Sequence, residues 1–267
     1  RDDIDAVYVV MRPHLLKPIA LDVIDAGKAV FTEKPLGQNS GETEELAKAA
    51  QEAAVLSCVG LNRRYCAVIR KARELVLERG PISGVLAEFH KDMKREMFGM
   101  SMLYADGLHA LDPLRFWAGE PTQVQALADT RYGDAEWQNS NNVYHALMRF
   151  DSGAGGLFAA NRQAGGRYER FEIHGNGISA YLRPPNLLEV WRTGEKEPET
   201  ISGADLVGSD DMLMTYGYWH ENRAFVDCLK SGQQPETSFA DNLQTMRLCD
   251  AIESGAHFEE NVGGQPA

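Results

Sequence analysis

The sequence predicts an α/β half followed by an α+β half, and three observations carry that reading. Over the first 65 residues, short β-branched apolar runs alternate with helix-length amphipathic runs. From Val85 onward, apolar and polar residues alternate singly, with turn signals between the runs. The chain has 267 residues, 43% of them hydrophobic, enough for one large domain or two ordinary ones with a proper core.

Ala6-Val7-Tyr8-Val9-Val10 is short, continuous and β-branched, the pattern of a fully buried strand. Pro13 follows, then a helix over residues 14–26 with Leu15, Ile19, Val23 and Ile24 on one face and Gly27 as its stop. A second strand at residues 29–31 leads into Glu33-Lys34-Pro35. Asn39 and Glu42 have capping-box spacing for a helix reaching residue 53. A third strand at residues 55–59 ends at Gly60-Leu61-Asn62-Arg63-Arg64-Tyr65. This β-α-β-α-β order implies a Rossmann-type parallel sheet with right-handed crossovers. Such a fold ordinarily opens with a strand and a Gly-rich turn that places backbone amides on a pyrophosphate, and nothing before Asp5 supplies one. The G-x-G-x-x-A run from Gly175 to Ala180 is flanked by strand-like residues and followed by Pro184-Pro185, so it reads as a hairpin turn.

The expected first domain is therefore residues 1–80, an incomplete dinucleotide-binding domain lacking its first βαβ unit. A helix over residues 69–79 ends it at Gly80-Pro81. Residues 81–267 form the expected α+β domain, with a strand around 85–89 and a helix around Pro113. A large antiparallel sheet follows, from strands at 124–128, 143–150, 156–160, 170–174, 180–182 and 189–191. Helices at about 219–231 and 241–254 close the chain, each with Gly soon after.

The formal net charge of −12 argues against nucleic acid or an anionic membrane as partner. It leaves an anionic cofactor open, because local amides and helix ends hold phosphates. Cys58, Cys66, Cys228 and Cys249 show neither C-x-x-C pairing nor metal-ligand spacing, and His145, His174 and His220 stand singly. The expectation is reduced thiols, a cytoplasmic protein and no metal. No apolar run approaches a membrane span, and the acidic start has no signal-peptide pattern.

Lys34 sits between an acid and a proline at a strand's C-terminal end, where open parallel sheets bind ligands. Pro35 biases it toward an extended conformation. His109 precedes Pro113 by four residues; a proline tolerated only in a first turn places the helix start near His109. There the helix N-terminus favours the neutral imidazole that a general base needs. Asp112, three residues on, is its expected orienting partner or a helix-start carboxylate. Lys91 lies on a strand and could reach a polar substrate.

Glu33-Lys34-Pro35, Asn62-Arg63-Arg64-Tyr65 and Gly107-Leu108-His109-Ala110-Leu111-Asp112, in that order, resemble the Gfo/Idh/MocA family of nicotinamide-dependent oxidoreductases. The resemblance runs from Asp5 to about Gly255. It implies oxidation of a secondary alcohol on a sugar, polyol or sugar derivative, with hydride passing to NAD or NADP. Lys34 then hydrogen-bonds the reacting hydroxyl and His109 takes its proton, with Asp106 as a third catalytic candidate. Many members carry that aspartate four residues before the histidine, where this chain has Ala105; Asp106 lies three before. Implied cofactor contacts are Pro13, His14, Glu33, Lys34, Pro35, Asn62 and Arg64. Lys91, Asp106 and His109 are the implied substrate contacts. The Lys34–Pro35 bond is expected to be cis, and the antiparallel sheet to support a homo-oligomer. A second reading, prompted by the missing phosphate turn, is a non-catalytic sugar-binding or assembly module.

Overall fold

The computed structural model describes residues 1–93, 100–131 and 141–255. Strand β1 (Ala6–Val9), helix α1 (Pro13–Asp25), β2 (Ala29–Thr32), α2 (Ser40–Glu52) and β3 (Ser57–Val59) follow the expected order. The three strands pair in parallel as β1-β2-β3, with Val7 opposite Val30 and Phe31 opposite Cys58. All four residues of β2 are buried because both faces are covered. Val30 joins the main core, whereas Ala29 and Phe31 meet Phe225 of a late helix, the Phe31 and Phe225 rings 5.5 Å apart. Asn39 caps α2 by accepting from the Glu42 amide at 3.0 Å. The Glu42 carboxylate does not close the expected box; it accepts from the Gln38 amide instead, at 2.9 Å.

A 3₁₀ turn (Asn62–Tyr65) and helix α3 (Ala67–Leu77) lead to β4 (Gly84–Asp92), the first strand of a second sheet. Next come a π-helical turn (Leu103–Gly107), α4 (Leu108–Ala118) and strands β5 (Pro121–Asp129), β6 (Val143–Phe150), β7 (Gly155–Asn161), β8 (Gln163–Gly175), β9 (Ile178–Arg183), β10 (Leu187–Arg192) and β11 (Glu199–Ser202). Their order is β11-β10-β9-β8-β4-β7-β6-β5. The sheet is mixed rather than wholly antiparallel, because β4 inserts between β8 and β7 and runs parallel to β7. Strand β11 is an addition to the expected set; its residues Glu199-Thr200-Ile201-Ser202 are too polar to announce a strand. The Gly175 to Ala180 run is the β8–β9 hairpin, with Gly177 at φ +66°.

Short helices α5 (Gly203–Val207) and α6 (Met212–Thr215) precede α7 (Tyr218–Ser231) and α8 (Phe239–Glu253). Gly232 and Gly255 follow the last two in left-handed conformations, as their sequence spacing predicts. Gly217 is fixed by space: a Cβ there would lie 2.5 Å from the Tyr65 carbonyl carbon. Thr237 accepts the Val59 amide at 2.8 Å, so the segment before α8 lies along the edge of β3. Strand β6 alternates faithfully, with Tyr144, Ala146, Met148 and Phe150 in the core and His145, Leu147 and Arg149 exposed.

Candidate active site

The site assembles where the end of β2 meets the π-helical turn. A cavity of about 520 Å³ is lined by Arg12, Pro13, Leu15, Glu33, Lys34, Pro35 and Ala105, among others. Lys34 lies two residues past the end of β2 and donates from Nζ to the Ala105 carbonyl at 2.7 Å. The Lys34–Pro35 peptide is cis. Burial lowers the Lys34 pKa, and Lys91 and Arg63 push the same way against Asp106 and Glu33.

Asp106 is the hinge of the cluster. Its Oδ1 accepts from Lys91 Nζ at 2.8 Å, and Oδ2 lies 3.3 Å from Arg162 Nη1. Burial opposes its charge, but Arg162, Lys91 and Lys34 together hold its carboxyl below the ordinary range. Lys91 is itself lowered, by burial and by Arg162 and Arg167. Arg162 is fully buried, with its guanidinium 4.6 Å above the Phe89 ring and Nη1 donating to the Phe89 carbonyl at 3.1 Å.

His109 lies in the second position of α4, but the helical path begins earlier, in the π-helical turn. Pro113 is therefore inside a helix, and the predicted N-terminal position of His109 is corrected. The widened turn supplies the irregular backbone that sequence reasoning had assigned to a helix start. The neutral imidazole is favoured for other reasons. Burial lowers the pKa well below the ordinary value, and Lys34, Arg63, Lys91 and Arg167 add to it. The ring is partly exposed, yet Nδ1 is sealed and has no partner among the described residues.

Asp112 does not orient His109. It accepts from Arg64 at 2.9 and 2.6 Å and from Thr245 at 3.2 Å. Arg64 also donates to the Glu236 carbonyl and lies 2.7 Å from Asp241. Its guanidinium is thus consumed in a buried lock between the 3₁₀ turn, α4 and α8, and it does not line the cavity. Asn62 is likewise spent inside the protein, donating to the Tyr216 carbonyl at 2.9 Å and accepting from Arg63 at 3.3 Å. His14 is exposed on α1 and outside the cavity lining. For Asn62 and Arg64 the reason is shared: the 3₁₀ turn directs their polar side chains toward packing partners that lie far away in sequence.

Sequence reasoning missed Arg162, Arg167 and Glu169, and gave Arg63 little weight. Glu169 accepts from Arg63 at 3.0 and 3.2 Å and from Arg167 at 2.9 Å. The only signal was an arginine directly after the apolar run of β7; β8 is too polar there to mark a buried acid.

The cavity residues fit the nicotinamide side of a dinucleotide. No side chain caps α1, so its positive end at Pro13 faces the cavity open. Among the described residues the Glu33 carboxylate accepts only from the neighbouring Lys34 amide, at 3.3 Å, leaving acceptor capacity for ribose hydroxyls.

Comparison with known proteins agrees with this picture. Residues 1–61 match a family model described as an oxidoreductase family with an NAD-binding Rossmann fold, and residues 77–180 match the GFO/IDH/MocA C-terminal domain. Levoglucosan dehydrogenase of Pseudarthrobacter phenanthrenivorans is 24% identical over 97% of this chain and 80% of its own length. The dehydrogenase aclE of Aspergillus oryzae is 31% identical over 77% of this chain and 58% of its own. Inositol 2-dehydrogenase of Rhizobium meliloti is 26% identical over 93% and 77%. Among solved structures, a levoglucosan dehydrogenase complex with NADH and levoglucosan superimposes with a TM-score of 0.84 at 23% identity, covering 96% of this chain and 79% of the other.

Proposed function

We propose that this chain, which belongs to the Gfo/Idh/MocA family of NAD-binding oxidoreductases, oxidises a secondary alcohol of a sugar, polyol or sugar derivative. The observation that carries the reading is the convergence of Lys34, His109 and Asp106 beside a cavity with an open helix end. NAD, when bound, would supply the hydride acceptor for the carbinol carbon. Pro13 and Pro35 would shape its seat, and Glu33 would hold the ribose.

Lys34 donates to the reacting oxygen and stabilises the negative charge that grows there. Its tie to the Ala105 carbonyl fixes the ammonium without using all three N–H groups. His109 takes the hydroxyl proton. Because Nδ1 is sealed, the proton arrives at Nε2. Asp106 keeps Lys91 in place and balances the cations around the imidazole.

The exposed face of the second sheet carries Leu127, Leu147 and Leu157, all more than two-fifths exposed. Such a patch supports a homo-oligomer formed sheet to sheet. Four free cysteines fit a reducing, cytoplasmic setting.

The test is a titration of NADH followed by nicotinamide fluorescence, then NAD reduction at 340 nm with levoglucosan, myo-inositol and a panel of sugars. Saturable binding and turnover that falls at least a hundredfold in Lys34→Met and His109→Asn support the reading. Binding without any turnover would favour the module that has lost catalysis.

A further inference from the structure

The site holds more positive charge than the chemistry of a neutral alcohol requires. Lys34, Arg63, Lys91 and Arg167 all act on the same imidazole, and Arg162 joins them through Asp106. They come from five separate places in the chain: the end of β2, the 3₁₀ turn, β4, the β7–β8 junction and β8. Among the described residues, the carboxylates set against these five cations are Glu33, Asp106, Glu169 and Glu221; burial and Glu33 push the Glu221 carboxyl well above the ordinary range, toward its neutral form. At least one positive charge remains over, and two with Glu221 neutral, in a chain whose formal net charge is −12.

The carboxylates are already committed. Asp106 serves Lys91 and Arg162, and Glu169 serves Arg63 and Arg167. Donors are left over on the cations. Lys91 uses one N–H on Asp106, and among the described residues Arg167 donates only from Nη2, to Glu169. Arg162 Nε and Nη2 are buried with no hydrogen-bond partner among the described residues. Crowding like charges in a half-buried cleft is unfavourable, and a single ammonium suffices to steady a growing alkoxide. An anion relieves the surplus and offers acceptors in the planar, forked geometry a guanidinium matches.

We infer that the substrate carries an anionic group, carboxylate or phosphate, seated on Lys91 and Arg167 beside the reacting hydroxyl. The substrate class is then a sugar acid or a sugar phosphate rather than a neutral polyol. This inference rests on the dehydrogenase reading for its chemistry, and its binding test stands apart from turnover. Lys91 is 23% and Arg167 49% exposed at the side chain, so both reach solvent. Solvent-reaching positive charge also steers an anion toward the cluster, in an otherwise acidic protein.

The experiment uses matched probes: D-glucose with D-glucuronate, D-gluconate and D-glucose 6-phosphate, and myo-inositol with its monophosphate. Calorimetric titration with NADH present measures binding; NAD reduction measures kcat/KM. An anionic member is expected to bind at least about tenfold more tightly than its neutral partner, and more weakly as salt rises. In Arg167→Gln and Lys91→Gln the anionic-to-neutral ratio is expected to drop about tenfold each. The carboxylate and phosphate arms show which anion is taken. Neutral probes bound as well as anionic ones, with ratios indifferent to both substitutions, would overturn the inference while leaving the dehydrogenase reading in place. Anion binding lost on Arg167→Gln but with no NADH formed from any probe would support the subsite and count against the dehydrogenase reading.

Discussion

Replacing Arg64 by Met separates two accounts of the Asn62-Arg63-Arg64-Tyr65 turn. The family pattern suggests a cofactor contact; the structure gives Arg64 a buried ion pair. Its side chain is 5% exposed and that of Asp112 is 1% exposed, so solvent screening is weak. Stripping one partner from a buried pair costs about 3–5 kcal/mol, because the remaining charge stays buried. Here the lower end applies, since Asp112 keeps Thr245 at 3.2 Å and Arg115 at 4.0 Å, and Asp241 keeps Arg115 at 3.3 Å. A loss of about 3 kcal/mol lowers Tm by roughly 6–12 °C in a chain of this size. The assays are urea unfolding, calorimetric Tm, and an NADH titration well below the transition. The account predicts a large fall in stability with NADH affinity changed less than about twofold. A Tm within a degree of the parent, together with a tenfold loss of NADH affinity, would refute it and return Arg64 to the cofactor site.

Other outcomes follow from the same geometry. Asp106→Asn leaves fully buried Arg162 without its counter-ion and should cost about 3–5 kcal/mol in unfolding experiments; stability equal to the parent would contradict the pairing. His109 has a folded pKa well below its unfolded value near 6.5, so the unfolded chain gains the proton first. That term is fully present above the unfolded value, is lost as pH falls below it, and levels off once pH passes the folded value; His109→Asn should flatten this slope. The acid limb of kcat/KM should for the same reason lie below the ordinary histidine range, and an acid limb near 7 would count against His109 as the base. Leu147→Lys with Leu127→Lys on the open sheet face should shift sedimentation toward smaller species without loss of Tm, whereas an unchanged oligomer would place the interface elsewhere.

Much of the architecture could be read before the structure because local chemistry dictated it. The β-branched runs at β1 and β2, the Gly27, Gly232 and Gly255 stops and the Asn39 cap are signals within a few residues of the features they specify. The place of β4 between β8 and β7 was not readable, because parallel pairing between distant strands leaves no local mark. The site divides along the same line. Lys34 is announced by its own neighbours, Glu33 and Pro35. Arg64, Asp112 and Asn62 carry the right side chains for a cleft, yet tertiary partners at Asp241, Thr245 and Tyr216 claim them. Arg162 and Glu169 become visible only when β8 is laid beside β4 and the charges of Asp106 and Arg63 need answering.

The central claim is that a carbinol is oxidised by hydride transfer to NAD, with Lys34 holding its oxygen and His109 taking its proton. Its most direct measurement uses the best substrate of the panel, deuterated at the reacting carbon. Mass spectrometry of the reduced cofactor should find one deuterium per turnover, with the rate falling at least about a hundredfold in His109→Asn. Reduced cofactor without label, or His109→Asn turning over at the parent rate, would contradict the account.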